Sequence, residues 1–334
     1  MLNPPYATVL KPYGRALVDL AKERKNILCL TGDLTRQCEI DLFQDEIPDR
    51  FIHAGMAEAN MMSMAGALAR RGYTPFVHTF GVFATRRPLD QIVNSIAYPN
   101  LPVRIVGFMP GISSPGGPSH QAIEDVALMR AIPNMTVIDL ADATEITKAL
   151  PAIVDIDGPV YLRLKRGEIP VLFEETHEFS LSQAQIVRHG SAAAVFGSGM
   201  MLSSAVAAAD ALEEAGVSAT VVNVPVIKPL DRATVARVLA EVPVAVSAEN
   251  HSIVGGLGSA ICEVAAEEGS GTRISRIGLN DTFAEGARVA PPLFKKYGLS
   301  SQDIVDRVWT LLGRTDSAPA VAAVETAEGE YAPV

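Results

Sequence analysis

The chain has 334 residues, of which 48% are hydrophobic, and its 28 basic and 38 acidic residues give a formal net charge of −10. This length suggests two domains, because one hydrophobic core rarely grows beyond roughly 250–300 residues. The acidic balance, without a cluster of Lys and Arg, disfavours nucleic acid or an anionic membrane as a partner, and no run approaches the ~20 apolar residues of a membrane span.

The cysteines and the N-terminus bear on location. Cys29, Cys38 and Cys262 are an odd number, with neither a disulfide framework nor metal-ligand spacing. The N-terminal residues lack the basic region and apolar run of a signal peptide. The sequence therefore predicts a cytoplasmic protein without a metal site of its own.

Helical and strand patterns alternate along the first half of the chain, which predicts a doubly wound parallel sheet. A long loop, 108–120, contains several Gly and Pro residues and is typical of a functional loop. The predicted helices are 13–24, 57–71, 88–97, 121–130 and 143–153, and the predicted strands are 26–31, 75–78, 103–107, 135–139 and 160–164.

A second alternating series follows an irregular segment, 166–190, which resembles a linker between domains. The fold class is therefore α/β, with two doubly wound three-layer domains at 1–165 and 191–314. Residues 315–334 lack periodicity and are predicted to be a mobile tail. The predicted elements of the second series are strands 192–196, 220–223, 242–247 and 273–278, and helices 200–215, 232–239 and 258–267.

Three polar residues stand where ligand-facing loops are expected. Glu58 begins a helix that is apolar around most of its circumference, which predicts burial on all sides. It is either a first-turn acid favoured by the helix dipole or a buried functional acid. Asp33 follows the first buried strand and is either a turn residue or a site residue. His120 ends the long loop, either as a helix-entry residue or as a proton carrier.

Two glycine motifs are weaker signals. GSGM at 197–200 is similar to the start of a dinucleotide fingerprint, but it lacks the third glycine and the later acid. The plain interpretation is a tight turn from strand to helix. GGLGSA at 255–260 is typical of close helix packing.

Longer motifs resemble a known family. AGMAEANMMSMAGALARRGYTPFVHTFGVFATRRPLDQI looks like the pyrimidine-binding domain of the transketolase family, and GGPSHQAIEDVALMRAIPNMTVIDLAD is similar to the loop and strand that follow it. AENHSIVGGLGSAICEVAAE and GLNDTFAEGA resemble the C-terminal domain of that family. The resemblance covers about residues 8–312. It implies a pyrimidine-binding domain followed by a transketolase C-terminal domain.

The resemblance implies thiamin diphosphate as cofactor. In this family a carboxyl hydrogen-bonds N1′ of the coenzyme's aminopyrimidine, and Glu58 in AEAN matches that group. Phe83 matches the aromatic side chain that stacks on the ring, with Phe80 beside it and Asp33 as a further candidate cofactor contact. His120 matches a histidine that faces the substrate hydroxyls and relays protons.

The remaining arginines divide by their alignment with the family. Arg166 matches an arginine that binds the far end of the sugar, whereas Arg163 is two residues out of alignment and is interpreted as structural. Arg86 and Arg87 lie beyond Phe83, and a solvated or subunit-facing role is expected for both.

The resemblance also implies a partner. A full-length transketolase has an upstream domain whose GDG…N motif binds Mg²⁺ (or Ca²⁺ or Mn²⁺) and the diphosphate, and no GDG occurs here. The chain therefore resembles the second half of a split transketolase. An N-terminal subunit with the diphosphate site is expected in an α2β2 assembly.

Several family substrate residues are replaced. Phe108 stands in place of a phosphate-binding histidine, Gly116 in place of a hydroxyl-binding aspartate, and Gln37 near a phosphate-binding serine. Lys11 is the nearest cation to a missing N-terminal arginine. Losing these groups removes phosphate hydrogen bonds. The substrate is therefore expected to be a sugar or short ketose other than a standard pentose phosphate.

Three other functions remain open. The beta subunit of a 2-oxo acid dehydrogenase first component has nearly the same length and domain order, although AEANM and PSHQ are closer to transketolase. A non-catalytic regulatory subunit would tolerate replacement of Glu58. A dinucleotide-binding oxidoreductase depends on GSGM alone.

Overall fold

The computed structural model describes residues 6–321. It contains short 3-10 and π-helical segments at Pro48–Arg50 and Ile92–Ala97. The strands are β1 (Thr8–Leu10), β2 (Ile27–Thr31), β3 (Phe51–His53), β4 (Thr74–Phe80), β5 (Arg104–Phe108), β6 (Thr136–Asp139), β7 (Val160–Leu164), β8 (Glu168–Pro170), β9 (Gln185–Arg188), β10 (Ala193–Gly197), β11 (Ala219–Asn223), β12 (Val226–Lys228), β13 (Val244–Ser252) and β14 (Arg273–Leu279). The helices are α1 (Pro12–Glu23), α2 (Asp41–Glu46), α3 (Glu58–Ala69), α4 (Gly81–Thr85), α5 (Leu89–Gln91), α6 (Asp125–Ala131), α7 (Ala143–Val154), α8 (Met201–Glu214), α9 (Arg232–Glu241), α10 (Leu257–Glu267), α11 (Pro291–Lys296) and α12 (Ser301–Leu311).

The first sheet has the order β12-β6-β7-β5-β4-β2-β3, and all its pairs are parallel except β12 with β6. Successive residues of β2 enter opposite cores, as strand geometry requires. Ile27 and Cys29 pack with α1 and α7, whereas Leu28 and Leu30 pack with α3 and α6. The carboxyl ends of β2, β3, β4 and β5 consequently lie side by side at one edge.

The second sheet has the order β14-β13-β10-β11-β9, with β9 antiparallel at its edge. Strand residues again alternate between two cores, one formed with α8 and α12 and the other with α9 and α10. Each sheet therefore has helices on both faces. The predicted fold class, α/β with two doubly wound three-layer domains, is confirmed.

Three short strands, β8, β9 and β12, were not predicted from the sequence, and one of them connects the two sheets. β12 comes from the second alternating series, yet it pairs with β6 at the edge of the first sheet. Segment 166–190 was predicted to be irregular, but it contains β8, which pairs with β1, and β9, which joins the second sheet. Short strands without strong alternation are difficult to predict because distant pairing partners form them.

The α3 helix differs from its prediction of burial on all sides. Met61, Met62 and Ala65 are buried, but Asn60 and Ala67 are exposed in this chain. An apolar circumference does not show which side the same chain covers, so this prediction is wrong for the single chain. The buried side packs closely, because a Cβ at Gly66 would lie 2.4 Å from the carbonyl oxygen of Ser95.

Two element boundaries also differ. The helix predicted from residue 121 begins only at Asp125, because 121–124 form turns and an isolated bridge that close the long loop. The tail was predicted to be mobile, but its described part packs on α12, where Trp309 Nε1 donates to Asp316 and Gln302 binds Pro319 and Val321. Residues 322–334 of that predicted tail lie outside the described residues.

A buried ion network joins the domains. Arg163 on β7 donates to Asp125 at 2.8 Å, to Asp139 at 2.7 Å and to the carbonyl of Asn250 on β13 at 3.0 Å. The Arg163 side chain is 1% exposed. Burial acts to raise the pKa of Asp125, but the charges of Arg163 and His251, together with the hydrogen bonds from Arg163 and Tyr161, outweigh burial and lower it. Arg163 is therefore structural, as expected.

Candidate active site

Glu58 lies at the carboxyl edge of the first sheet, where a short loop leads from β3 to α3. Gly55 adopts φ +74° in this loop, and the N–H of Ala57 donates to the Gly55 carbonyl. Glu58 is the first residue of α3, and its side chain is only 4% exposed. The loop thus presents a buried carboxylate at a helix N-terminus, where the dipole favours negative charge.

Asp33 lies in the neighbouring loop after β2. Its backbone has φ +70°, and its Oδ1 lies 3.0 Å from Nε2 of His53, the last residue of β3. Because β2 and β3 are adjacent and parallel, Asp33 and Glu58 leave the same edge of the sheet. The Asp33 side chain is exposed at that edge.

The aromatic side chains follow β4. Phe80 is its last residue, and Phe83 lies one turn later on α4. The two rings lie 6.0 Å apart between centroids at an angle of 23°. The ring of His120 meets the Phe83 ring edge-on at 5.4 Å, and His120 Nδ1 lies 2.9 Å from Ser119 Oγ. Phe83 therefore joins the predicted cofactor residues to the predicted substrate histidine.

Arg87 is the main functional candidate that the sequence did not identify. Its Nη1 donates to Glu58 Oε1 at 2.7 Å, and its guanidinium carbon lies 4.1 Å from the centroid of the Phe83 ring. These contacts come in addition to the expected solvated or subunit-facing role, which agrees with a side chain that is 51% exposed. The adjacent arginines Arg86 and Arg87 do not by themselves indicate a functional role, because only the fold brings Arg87 to Glu58.

Arg86 also has a definite role within the chain. Its guanidinium forms an ion pair with Glu124 and donates to the carbonyls of Pro118 and Gln121. Arg86 thus fixes the end of the long loop that carries His120. Arg86 was expected to be solvated or subunit-facing; within this chain it is ion-paired, and its side chain is 30% exposed.

The second domain holds the other end of the loop. Gln121 donates to the carbonyls of Ser114 and Glu285. Gly116 leaves room for His120, since a Cβ there would lie 2.8 Å from the His120 Cβ. The glycine that replaces an expected aspartate therefore allows the histidine its position.

The predicted substrate residues differ in how far their side chains are buried. Phe108 is completely buried and packs edge-on against Tyr13 at 5.6 Å, so it has no exposed surface for a substrate and belongs to the core in this structure. Gln37 and Arg166 are half-buried. The N–H of Gly167, next to Arg166, donates to Glu39 Oε1 at 3.2 Å, which places Arg166 near the loop of Gln37.

Two negative findings concern the described part of the chain. Within 6–321 there is no group of three or more His, Cys, Asp or Glu side chains arranged to bind a metal ion. Among the same residues, no helix combines the length and apolar character that a membrane crossing needs.

Comparison with known protein families agrees with this geometry. The pyrimidine-binding domain model of transketolase matches residues 6–171, and the transketolase C-terminal domain model matches residues 182–304. The chain belongs to the transketolase family. Glu58, Phe83 and His120 all lie in the part that matches the pyrimidine-binding domain.

Two relatives have nearly the same length as this member of the transketolase family. A putative transketolase C-terminal section of Methanocaldococcus jannaschii is 37% identical over 92% of this chain and 97% of its own. The 6-deoxy-6-sulfo-D-fructose transketolase subunit SqwH of a Clostridium species is 37% identical over 91% of this chain and 96% of its own. By contrast, 97% of this chain matches only 50% of the 1-deoxy-D-xylulose-5-phosphate synthase of a Synechococcus species, at 30% identity.

A solved structure supports the same relationship. A split-gene transketolase, described as an inactive beta4 tetramer, is 38% identical, with a TM-score of 0.84 over 92% of this chain and 98% of its own. The expected resemblance to the C-terminal subunit of a split transketolase is therefore confirmed.

Proposed function

We propose that this chain is the subunit of a thiamin diphosphate-dependent transketolase that binds the aminopyrimidine ring, and that the complete enzyme transfers a two-carbon ketol unit from a ketose to an aldehyde. The observation that carries this proposal is the convergence of Glu58, Phe83 and His120 at one edge of the first sheet. We assign the pyrimidine-binding domain to residues 1–165 and the C-terminal domain to residues 191–314.

The site is suited to a flat heteroaromatic ring. Phe83 already has a planar cationic group, the Arg87 guanidinium, stacked on it, and the same group is hydrogen-bonded to Glu58. A ring with π faces and a polar edge requires the same two contacts. These residues therefore fit the coenzyme's aminopyrimidine.

When bound, thiamin diphosphate supplies a nucleophilic carbon that adds to a ketose carbonyl. In our proposal Glu58 holds the proton shared with N1′, and its burial in low dielectric makes that hydrogen bond strong. Phe83 and Phe80 hold the ring, and Asp33 contributes to the edge of the cofactor site. His120 faces the substrate hydroxyls and carries protons.

The diphosphate and its Mg²⁺ (or Ca²⁺ or Mn²⁺) are assigned to a partner, an N-terminal transketolase subunit in an α2β2 assembly. The relatives named as a C-terminal section and as a transketolase subunit support this division, because this chain spans nearly all of each. Met56, two residues before Glu58, is 77% exposed, and we assign it to the surface that meets this partner. We assign the assembly to the cytoplasm, where free cysteines persist.

The substrate proposed is a sugar or short ketose other than a standard pentose phosphate. Phe108 and Gly116 replace family groups that bind phosphate and hydroxyls, whereas His120 and Arg166 remain. The SqwH relative is named for a sulfonated sugar, which supports the use of a different anionic end in subunits of this length. Arg166, with Gln37 nearby, is the proposed contact for that end.

Calorimetric titration with thiamin diphosphate and Mg²⁺ tests the division of the site. The isolated chain should give little heat, and the chain co-expressed with its N-terminal partner should bind clearly. Tight binding by the isolated chain would contradict a shared site. A CoA-linked activity with a lipoyl-domain acceptor would favour the 2-oxo acid dehydrogenase alternative, and full activity after loss of Glu58 would favour a regulatory subunit.

A further inference from the structure

We propose that the Arg87 guanidinium takes the aminopyrimidine position on Glu58 and Phe83 and must leave that position before the coenzyme binds. This inference rests on the proposed function, because it takes Glu58 and Phe83 as the contacts of the ring. Arg87 makes both contacts itself, at 2.7 Å to Glu58 Oε1 and 4.1 Å above the Phe83 ring.

The chemistry of a guanidinium explains how one side chain can occupy the ring position. It is planar and delocalised, stacks on aromatic faces, and donates hydrogen bonds in its own plane. A pyrimidine ring on Phe83 would present a similar flat surface and a similar polar edge to Glu58. Two planar groups cannot cover the same ring face together, so the ring and Arg87 exclude each other.

Burial indicates which group moves. The Glu58 side chain is 4% exposed and is fixed at the first position of α3, whereas the Arg87 side chain is 51% exposed. Arg87 lies just after α4, and half of its side chain is already in contact with solvent. A change in its side-chain torsions alone therefore carries the guanidinium into solvent. The movement requires no rearrangement of the sheet.

The neighbouring arginine has a different role. Arg86 is bound to Glu124 and to two backbone carbonyls, and its release would free the end of the long loop. Arg87 contacts only Glu58 and Phe83 among the hydrogen-bonded and ring partners identified in residues 6–321. Of these two arginines, Arg87 is therefore the one whose guanidinium can leave without releasing the loop that carries His120.

Pairing with Arg87 has a physical consequence for Glu58. A buried carboxylate without a partner is costly, so Arg87 stabilises the site before the coenzyme arrives. The same pairing lowers the apparent affinity for the coenzyme, because only the fraction of molecules with Arg87 displaced can bind. Removing the guanidinium should therefore strengthen coenzyme binding.

The test uses the chain co-expressed with its N-terminal partner and measures thiamin diphosphate binding by calorimetry with Mg²⁺. Arg87→Ala should bind about 10-fold more tightly than the native complex. Arg87→Lys keeps the charge but lacks a flat face, so it should show a smaller gain, and it carries the test if the alanine variant fails to assemble. Arg71→Ala is the matched control, because Arg71 is exposed at the far end of α3.

The possible results separate failure of this inference from failure of the proposed function. Unchanged or weaker binding by both Arg87 variants would overturn the inference, and a loss of affinity would make Arg87 a coenzyme ligand. If the native complex binds no thiamin diphosphate, the proposed function fails and the inference fails with it. Tighter coenzyme binding by Arg87→Ala, with native affinity in Arg71→Ala, would support the proposal that Arg87 takes the position of the aminopyrimidine.

Discussion

The side-chain amide of Asn250 on β13 binds both ends of the Pro110–Ile112 turn. Its Oδ1 accepts the N–H of Ile112 and its Nδ2 donates to the carbonyl of Pro110, both at 2.9 Å. The second domain thereby holds the loop that carries His120 in the first domain. A Cβ at Gly111 would lie 2.1 Å from the Asn250 carbonyl oxygen, so the loop and β13 approach closely here.

Asn250→Ala should destabilise the protein by about 1–3 kcal/mol, because a buried donor and acceptor lose their partners. Amide hydrogen exchange in the loop 109–120 should become faster, while exchange in the core strands changes little. Asn94→Ala is the control, since Asn94 is exposed and its side chain donates to Asp90, four residues earlier. Equal effects of the two variants would show that Asn250 does not hold the loop.

Arg163→Met should destabilise the protein by about 3–5 kcal/mol, because it leaves Asp125 and Asp139 buried without their cation. Urea unfolding measures the change in the free energy of unfolding. Arg237→Met removes an exposed ion pair with Glu241 and should change stability by less than about 1 kcal/mol. A small loss in Arg163→Met would mean that water reaches the network.

The pH dependence of stability should reflect Glu145. It accepts hydrogen bonds from Ala141 N–H and Asn223 Nδ2 at 2.7 Å, and burial raises its pKa from 4.5 to about 8. The folded state then binds more protons than the unfolded chain between these values. The contribution of Glu145 to stability is therefore fully present below pH 4.5 and is lost as the pH rises to about 8.

Glu145→Gln should remove that loss. Its free energy of unfolding should fall less steeply between pH 5 and 8, by a slope that approaches about 1.4 kcal/mol per pH unit. Glu213→Gln, an exposed position on α8, is the matched control and should retain the native slope. Parallel curves for Glu145→Gln and the native protein would contradict a raised pKa at this site.

Glu58→Gln should leave the fold intact and reduce turnover of the reconstituted enzyme by about 10²–10⁴-fold, the range for a positioned acid–base group. Gln keeps the shape but cannot hold the proton for N1′. Exchange of the coenzyme C2 proton, followed by NMR, measures the step directly. Glu23 is exposed at the end of α1, so in Glu23→Gln the coenzyme C2 proton should exchange at the native rate. A native rate in Glu58→Gln would mean that Glu58 serves only to begin the helix.

Arg166→Ala should raise KM mainly for substrates with a charged terminus and change neutral ketoses little. The measurement is kcat/KM of the reconstituted enzyme on xylulose 5-phosphate, xylulose, hydroxypyruvate and a sulfonated ketose. Lys25→Ala, a surface change, is the control. If kcat/KM for xylulose 5-phosphate exceeds the others by more than about 100-fold, or roughly 2.7 kcal/mol, the prediction of a substrate other than a standard pentose phosphate is wrong.

The sequence alone determined the order of the elements and the alternating fold, because buried parallel strands and helices leave local patterns. It also proposed Glu58, Phe83 and His120 as site residues, through motifs that resemble those of the transketolase family. It could not reveal the pairing of β12 with β6 or the strands within 166–190, since these depend on partners far along the chain.

Only the tertiary structure decided which charges meet. Arg87 and Glu58 are 29 residues apart, yet they touch because the loops after β3 and β4 leave the same edge of one sheet. Phe108 was assigned to the substrate by its resemblance to the family, but in the structure its ring is fully buried against Tyr13. Side-chain direction at a strand end depends on packing in three dimensions, and local residue patterns do not specify it.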